Sequence, residues 1–190
     1  MKPIIPSARP RLTEAEVRAL LKKHGVTAPV ALVGVRGYYS HTFGSPGNDR
    51  GVYDDAMFVV SPHTFTSFNA NTDPSLFRYG MATLRLGVHW YKKGKHGISR
   101  KPPFVPYAAL RPATVNEQVP VSRDQQTNPR PGVAINIHRG GVNNTYSEGC
   151  QTLPPDQYSA FIALVYAEMN RAGIAKLPYL LVDASSVVAK

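Results

Sequence analysis

The chain has 190 residues, 43% of them hydrophobic and 18% charged, and its 22 Lys and Arg exceed its 12 Asp and Glu to give a formal net charge of +10. That length and hydrophobic content fit one globular domain with its own core and exclude a disordered or collagen-like chain. No apolar run reaches the roughly 18–20 residues of a membrane-spanning helix; a single cysteine, Cys150, can form no internal disulfide; and the positive balance favours a polyanionic partner.

In chain order, residues 12–25 read as a helix: Thr13 caps it, Glu16 completes a capping box, Leu12 and Val17 form a hydrophobic staple, and Gly25 ends it. Residues 29–39 read as a buried strand through Val30, Leu32, Val33 and Val35. A Gly/Ser/Pro/Asn loop over 44–51 leads to a second strand at 57–60. Residues 69–74 carry turn chemistry, and further short strands are expected at 82–86, 88–91 and 107–111, then a proline-punctuated segment to Gly132. Residues 133–137 are apolar and partly β-branched, a strand that delivers His138 at its end. Pro154 and Pro155 suit the start of a helix over 156–172, and residues 179–182 return as a last strand. The predicted class is mostly β, a β-rich α+β protein, read as a single catalytic domain over 1–190 with an N-terminal helical extension (1–28) and a core (29–190).

The densest basic group is Lys92, Lys93, Lys95, Arg100 and Lys101, preceded by Trp90 and Tyr91. Interleaved cations and aromatics can bind single-stranded nucleic acid, yet no nucleic-acid motif accompanies them, and the expectation is a solvated hairpin. Asp54 and Asp55 are adjacent, so on a strand they face opposite sides and cannot work as a pair. His24 suits the dipole at a helix end, and His41 and His63 fall in loops. His89 and His96 lack the tight spacing of a zinc site, so neither a metal nor another cofactor is expected.

The chemistry concentrates in Ile137-His138-Arg139-Gly140-Gly141-Val142-Asn143-Asn144-Thr145-Tyr146-Ser147-Glu148-Gly149-Cys150-Gln151-Thr152. A thiol becomes a strong nucleophile only as thiolate, which requires a nearby base or positive potential. His138 can serve as that base. Gly149 permits close backbone approach, and amides around Ser147 to Cys150 can face an oxyanion. A free cysteine is usually a small buried hydrophobe; the polar Ser-Glu-Gly context before Pro154-Pro155 argues against that role here.

These residues resemble the L,D-transpeptidase catalytic domain, the YkuD-like family, whose signature is a histidine at a strand end, a loop, then Ser-x-Gly-Cys. The resemblance covers about residues 133–153, with Gly87-Val88-His89 and Lys95-His96-Gly97 as weaker matches upstream. It implies a β-sandwich or barrel with Cys150 as nucleophile and His138 as general base in a groove. It also implies Ser147 and Gly149 in the S-x-G-C element, and Gly140 or Gly141 as the source of a carbonyl that orients the histidine. Thr152 stands where the family usually has arginine or asparagine, and the interval from His138 to Cys150 is shorter than usual. Arg139 or Arg36 is the expected replacement cation, with Asp54 and His96 as further substrate contacts. Papain-like enzymes and the NlpC/P60 and CHAP amidases place cysteine before histidine, the reverse of this order. Residues 53–56 and 69–74 are similar to proteins carried by tailed phages and prophages.

The expected function is therefore cysteine-dependent acyl transfer on peptidoglycan stem peptides, leaning to cleavage of the endolysin type. The expected protein is a monomer, made in the cytoplasm without a classical signal peptide, that acts on the cell wall and has no nucleic-acid partner. The competing expectation is a non-catalytic basic binding protein or virion component.

Overall fold

The structure, a computed structural model, describes residues 4–39 and 50–187. His41 and the loop as far as Asp49 lie outside the described residues. Among the described residues the fold is mostly β with two α-helices, and its main sheet is a nearly closed barrel. The chain runs α1 (Glu14–Lys23), β1 (Ala31–Arg36), β2 (Asp55–Val60), β3 (Phe65–Ala70), β4 (Ala82–Leu84), β5 (Gly87–His96), β6 (Tyr107–Pro112), β7 (Gln118–Val119), β8 (Val121–Arg123), β9 (Gly132–Val133), β10 (Ile137–Arg139), β11 (Gln151–Leu153), α2 (Pro155–Arg171) and β12 (Lys176–Asp183).

Eight strands form the main sheet in the order β11-β10-β6-β5-β12-β1-β2-β3, and β4-β8 and β7-β9 make two small ladders beside it. The two ends of the main sheet meet through an antiparallel bridge between Asn71 and Thr152. Asn71 N–H donates to the Thr152 carbonyl at 2.8 Å, and Thr152 N–H donates back to the Asn71 carbonyl at 2.8 Å.

Strand alternation explains the two cores. In β1, β2 and β12, Leu32, Met57, Val59, Tyr179 and Leu181 face a cluster shared with Phe161, Val165 and Met169 of α2. The intervening residues Ala31, Val33, Ala56, Phe58 and Leu180 face α1 through Val17, Leu20 and Leu21. A strand buried on both faces reads as a continuous apolar run, as residues 30–35 do. The α1 capping box is complete, with Glu16 N–H donating to Thr13 Oγ1 at 3.3 Å and Thr13 N–H to the Glu16 carboxylate at 2.8 Å. Leu12 packs on the same cluster as Val17. No helix among the described residues is long and apolar enough to cross a membrane.

Several expected elements differ. The expected strand at 133–137 is two short strands separated at 134–136, because Ala134 takes φ +54° and the Ala134 N–H turns to the Glu117 carbonyl at 3.1 Å. His138 thus sits inside β10 rather than beyond a strand end. Residues 69–70 finish β3 rather than open a turn. Cys150 directly precedes a fully buried strand, β11. The basic segment is the β5–β6 hairpin, but Tyr91 is buried in the core, Lys176 covers Trp90 at 5.1 Å, and Lys93 both covers Tyr166 at 5.5 Å and bonds Asn170. Of the two aromatics before the basic group, Tyr91 is therefore buried, while Trp90 stays exposed beside Lys176.

Gly34 of β1 lies under Tyr179, and a Cβ built there would meet the tyrosine hydroxyl at 2.2 Å and ring carbons at 2.8 Å. The same hydroxyl donates to Gln151 Oε1 at 3.1 Å, next to Cys150. Gly34→Ala should therefore cost about 1–3 kcal/mol in a urea unfolding titration. Tyr179→Phe, which removes the closest atom, should recover part of that loss when the two are combined.

Candidate active site

Main-chain pairing brings Cys150 and His138 to adjacent strands. β10 and β11 run parallel, with His138 opposite Thr152 and Ile137 opposite Gln151. Gln151 N–H donates to the Asn136 carbonyl at 2.8 Å, which extends the pairing back to the residue beside Cys150.

His138 is buried, and its Nδ1 lies 2.8 Å from the Arg139 carbonyl and 3.3 Å from the Tyr107 hydroxyl. A carbonyl only accepts, so Nδ1 carries the proton and Nε2 keeps its lone pair. The orienting carbonyl belongs to Arg139, not to Gly140 or Gly141. The Gly141 carbonyl instead accepts from Tyr53 Oη at 2.7 Å, and the two glycines are crowded by Tyr53 and Tyr146. Tyr107 Oη also donates to the Arg139 carbonyl, at 3.2 Å.

The His96 ring stacks on His138 with centroids 3.8 Å apart and planes 17° apart. Burial, then the charge of His96 and Arg100, pushes His138 down to about 3, opposed by its bond to the Arg139 carbonyl. Burial and then Arg100 and Arg111 push His96 down to about 4. Both imidazoles are neutral at pH 7.

Cys150 is half-buried, and its thiol donates to the Ala134 carbonyl at 3.8 Å; His138 is not among its hydrogen-bond partners. Burial pushes the thiol up to about 11, opposed most by the Asn136 backbone N–H. The resting pair is thus a neutral thiol beside a neutral imidazole.

The loop before Cys150 is braced by its own Ser147 and by Ser75 from the segment after β3. Ser147 N–H donates to Ser75 Oγ at 2.8 Å, Gly149 N–H donates to Ser147 Oγ at 3.0 Å, and Ser147 Oγ donates to the Cys150 carbonyl at 2.7 Å. The amides of Ser147 and Gly149 are therefore spent on the loop and are not free for an oxyanion. Gly149 has φ +129°, and a Cβ there would stand 2.6 Å from the Ala82 carbonyl, so only glycine fits.

A cavity of about 540 Å³ opens beside this region, with His96, His138, Arg139, Gly140 and Ser147 in its walls; Cys150 and Gly149 are not among its lining residues. No family model, curated protein or solved structure matches this chain.

Of the other sequence-expected residues, Arg139 and His96 reach the cavity. Arg139 lies over the Tyr107 ring at 4.9 Å and is joined there by Arg78 and by Arg100, itself 4.9 Å over Phe104. Arg36 does not reach it: its guanidinium donates to the Thr72 carbonyl at 2.6 Å and the Leu84 carbonyl at 3.0 Å, tying the segment after β3 to the end of β4. Asp54 is fully buried outside the cavity wall, with the Tyr39 N–H on its carbonyl at 2.7 Å. Thr152 is fully buried in the barrel seam and presents no side chain to the cavity. Among the described residues, no group of three or more His, Cys, Asp or Glu is placed to hold a metal ion. Asn136 and Tyr107 were not singled out in the sequence; Asn136 lies in the break just before β10, two residues from His138.

Two outcomes follow from the charge states. The unfolded chain protonates its histidines near pH 6.5, whereas folded His138 resists to about 3 and His96 to about 4. Stability present above pH 6.5 should thus be lost as pH falls from 6.5 towards 4, by up to about 1.4 kcal/mol per pH unit for His138 and less for half-exposed His96. Buried His89 adds in the same direction. Denaturant melts across that range should show the slope, and His138→Gln should flatten it; an unchanged slope would refute the assignment. Separately, iodoacetamide labelling of Cys150 should climb through pH 9 without an inflection between pH 6 and 7.

Proposed function

We propose that this protein is a cysteine-dependent acyl-transfer enzyme of the L,D-transpeptidase type that acts on peptidoglycan stem peptides in the cell wall, with cleavage as its main outcome. The observation that carries the reading is the Arg139 carbonyl on His138 Nδ1, which leaves the Nε2 lone pair available on a strand paired to the one that starts after Cys150.

As the Cys150 sulfur bonds to the substrate carbonyl carbon, its proton passes to His138 Nε2. The tetrahedral intermediate collapses with loss of the C–N bond, and the departing amine takes the proton from His138, leaving a thioester. Water then attacks the thioester while His138 accepts a proton, and the thiol leaves with that proton to restore both groups. An amine in place of water gives transpeptidation. With the thiol near 11 and the imidazole near 3, a preformed thiolate–imidazolium pair is strongly disfavoured, so proton transfer is coupled to C–S bond formation. The cavity arginines, Arg78, Arg100 and Arg139, supply the cationic anchoring that Thr152 does not.

The same raised thiol favours one competing reading, a basic non-catalytic protein that binds an anionic polymer. Incubation with purified muropeptides, followed by chromatography and mass spectrometry, separates the two. Stem-peptide cleavage should fall at least about 10³-fold in Cys150→Ala. Equal activity in parent and variant would end the enzymatic reading, as would salt-sensitive wall binding with no turnover in either.

A further inference from the structure

The Ser147 amide is bonded to Ser75 Oγ, the Gly149 amide to Ser147 Oγ, and the Gln151 N–H to the Asn136 carbonyl. A carbonyl oxygen that gains negative charge in the cavity therefore needs a donor that the backbone around Cys150 only partly supplies. Tyr107 Oη is engaged as a donor to Arg139. His96 is a side-chain donor candidate in the wall of that cavity, beside His138.

Asn136 Nδ2 lies 3.3 Å from His96 Nδ1. With the Asn136 NH₂ turned to the ring, His96 Nδ1 accepts and the ring proton resides on Nε2, an orientation that leaves Asn136 Oδ1 buried without a partner among the described residues. Nε2 has no partner among the described residues, and the ring forms part of the cavity wall. His138, 3.8 Å away in the stack, has the opposite tautomer, with its proton on Nδ1 and its lone pair on Nε2. One ring of the stack is a base and the other a donor.

We propose that His96 Nε2–H forms a carbonyl-oxygen subsite, donating to the substrate oxygen as Cys150 attacks, and that Asn136 sets the tautomer this requires. The role deepens the acyl-transfer reading and rests on it. Neutrality suits the role: a neutral donor polarises a carbonyl without repelling the adjacent His138 as that ring takes up the thiol proton. Asn136 thereby acts at two points, through its side chain on His96 and through its backbone on Cys150.

The test combines kinetics with imidazole ¹⁵N NMR. His96→Phe keeps an aromatic ring on His138 but removes the N–H. It should lower kcat/KM on a stem peptide by about 10²–10³-fold, in the range found for loss of one oxyanion donor, while Cys150 alkylation by iodoacetamide stays within about twofold of the parent. His96→Gln, which restores an N–H donor, should recover part of the rate. The spectrum, with His96 identified by its loss in His96→Phe, should show the proton on Nε2, and Asn136→Asp should move it to Nδ1 and reduce turnover. Parental turnover in His96→Phe, or a parent spectrum with the proton on Nδ1, would overturn the proposal. If the parent itself turns over no stem peptide, the acyl-transfer reading fails and this subsite falls with it, a result distinct from an active parent whose His96→Phe variant is equally active.

Discussion

Two backbone hydrogen bonds between Asn71 and Thr152 join the first and last strands of an eight-stranded sheet, and the arrangement around Cys150 depends on them. β11 is only three residues long and could not hold a position alone. It is held on one side by parallel pairing with β10 and on the other by this seam. Because Cys150 is the residue immediately before β11, its place relative to His138 is set by main-chain pairing rather than by the conformation of a long loop. The loop of residues 140–149 is braced by Ser147 within it and by Ser75, which bonds Thr145 and Ser147 from the segment after β3.

The seam has a cost in polar groups. Among the described residues, Asn71 Oδ1 and Thr152 Oγ1 are buried without a hydrogen-bond partner, and Asn136 Oδ1 is in the same state beside the histidine stack. Buried orphan acceptors usually cost about 1–3 kcal/mol each. Their concentration around β10 and β11 fits a region in which local stability yields to placement of reactive groups. The same burial that strips these oxygens of partners keeps both histidines neutral and raises the thiol, so one physical cause accounts for the electrostatics of the whole site.

Much of the scaffold was legible because its signals are local. The α1 capping box, the prolines that open α2 and the doubly buried run of β1 all act within a few residues of where they are read. β3 and β11 were not legible as strands: Phe65–Ala70 mixes Thr, Ser and Asn with Phe, and Gln151–Leu153 is too short to show any period. Their strand character comes from partners far along the chain. The break at Ala134 is likewise imposed by the Glu117 carbonyl. At the site, residue types announced Cys150 and His138, but the tautomers, the Arg139 carbonyl and the spent amides arise from pairing across β5, β10 and β11. Arg36 shows the reverse error, a cation expected at the substrate that instead ties Thr72 to Leu84.

The charge on the cavity wall has a different character from that of its acid–base groups. Cysteine and both histidines are neutral, while three exposed guanidinium groups, Arg78, Arg100 and Arg139, face one carboxylate, Glu148, which Arg78 meets at only 3.4 Å. Attraction of an anionic ligand therefore comes from surface charge, which physiological salt screens over about 8 Å. In the proposed acyl-transfer reading, ligand capture and bond making would be governed by separate variables, ionic strength for the first and buried proton transfer for the second.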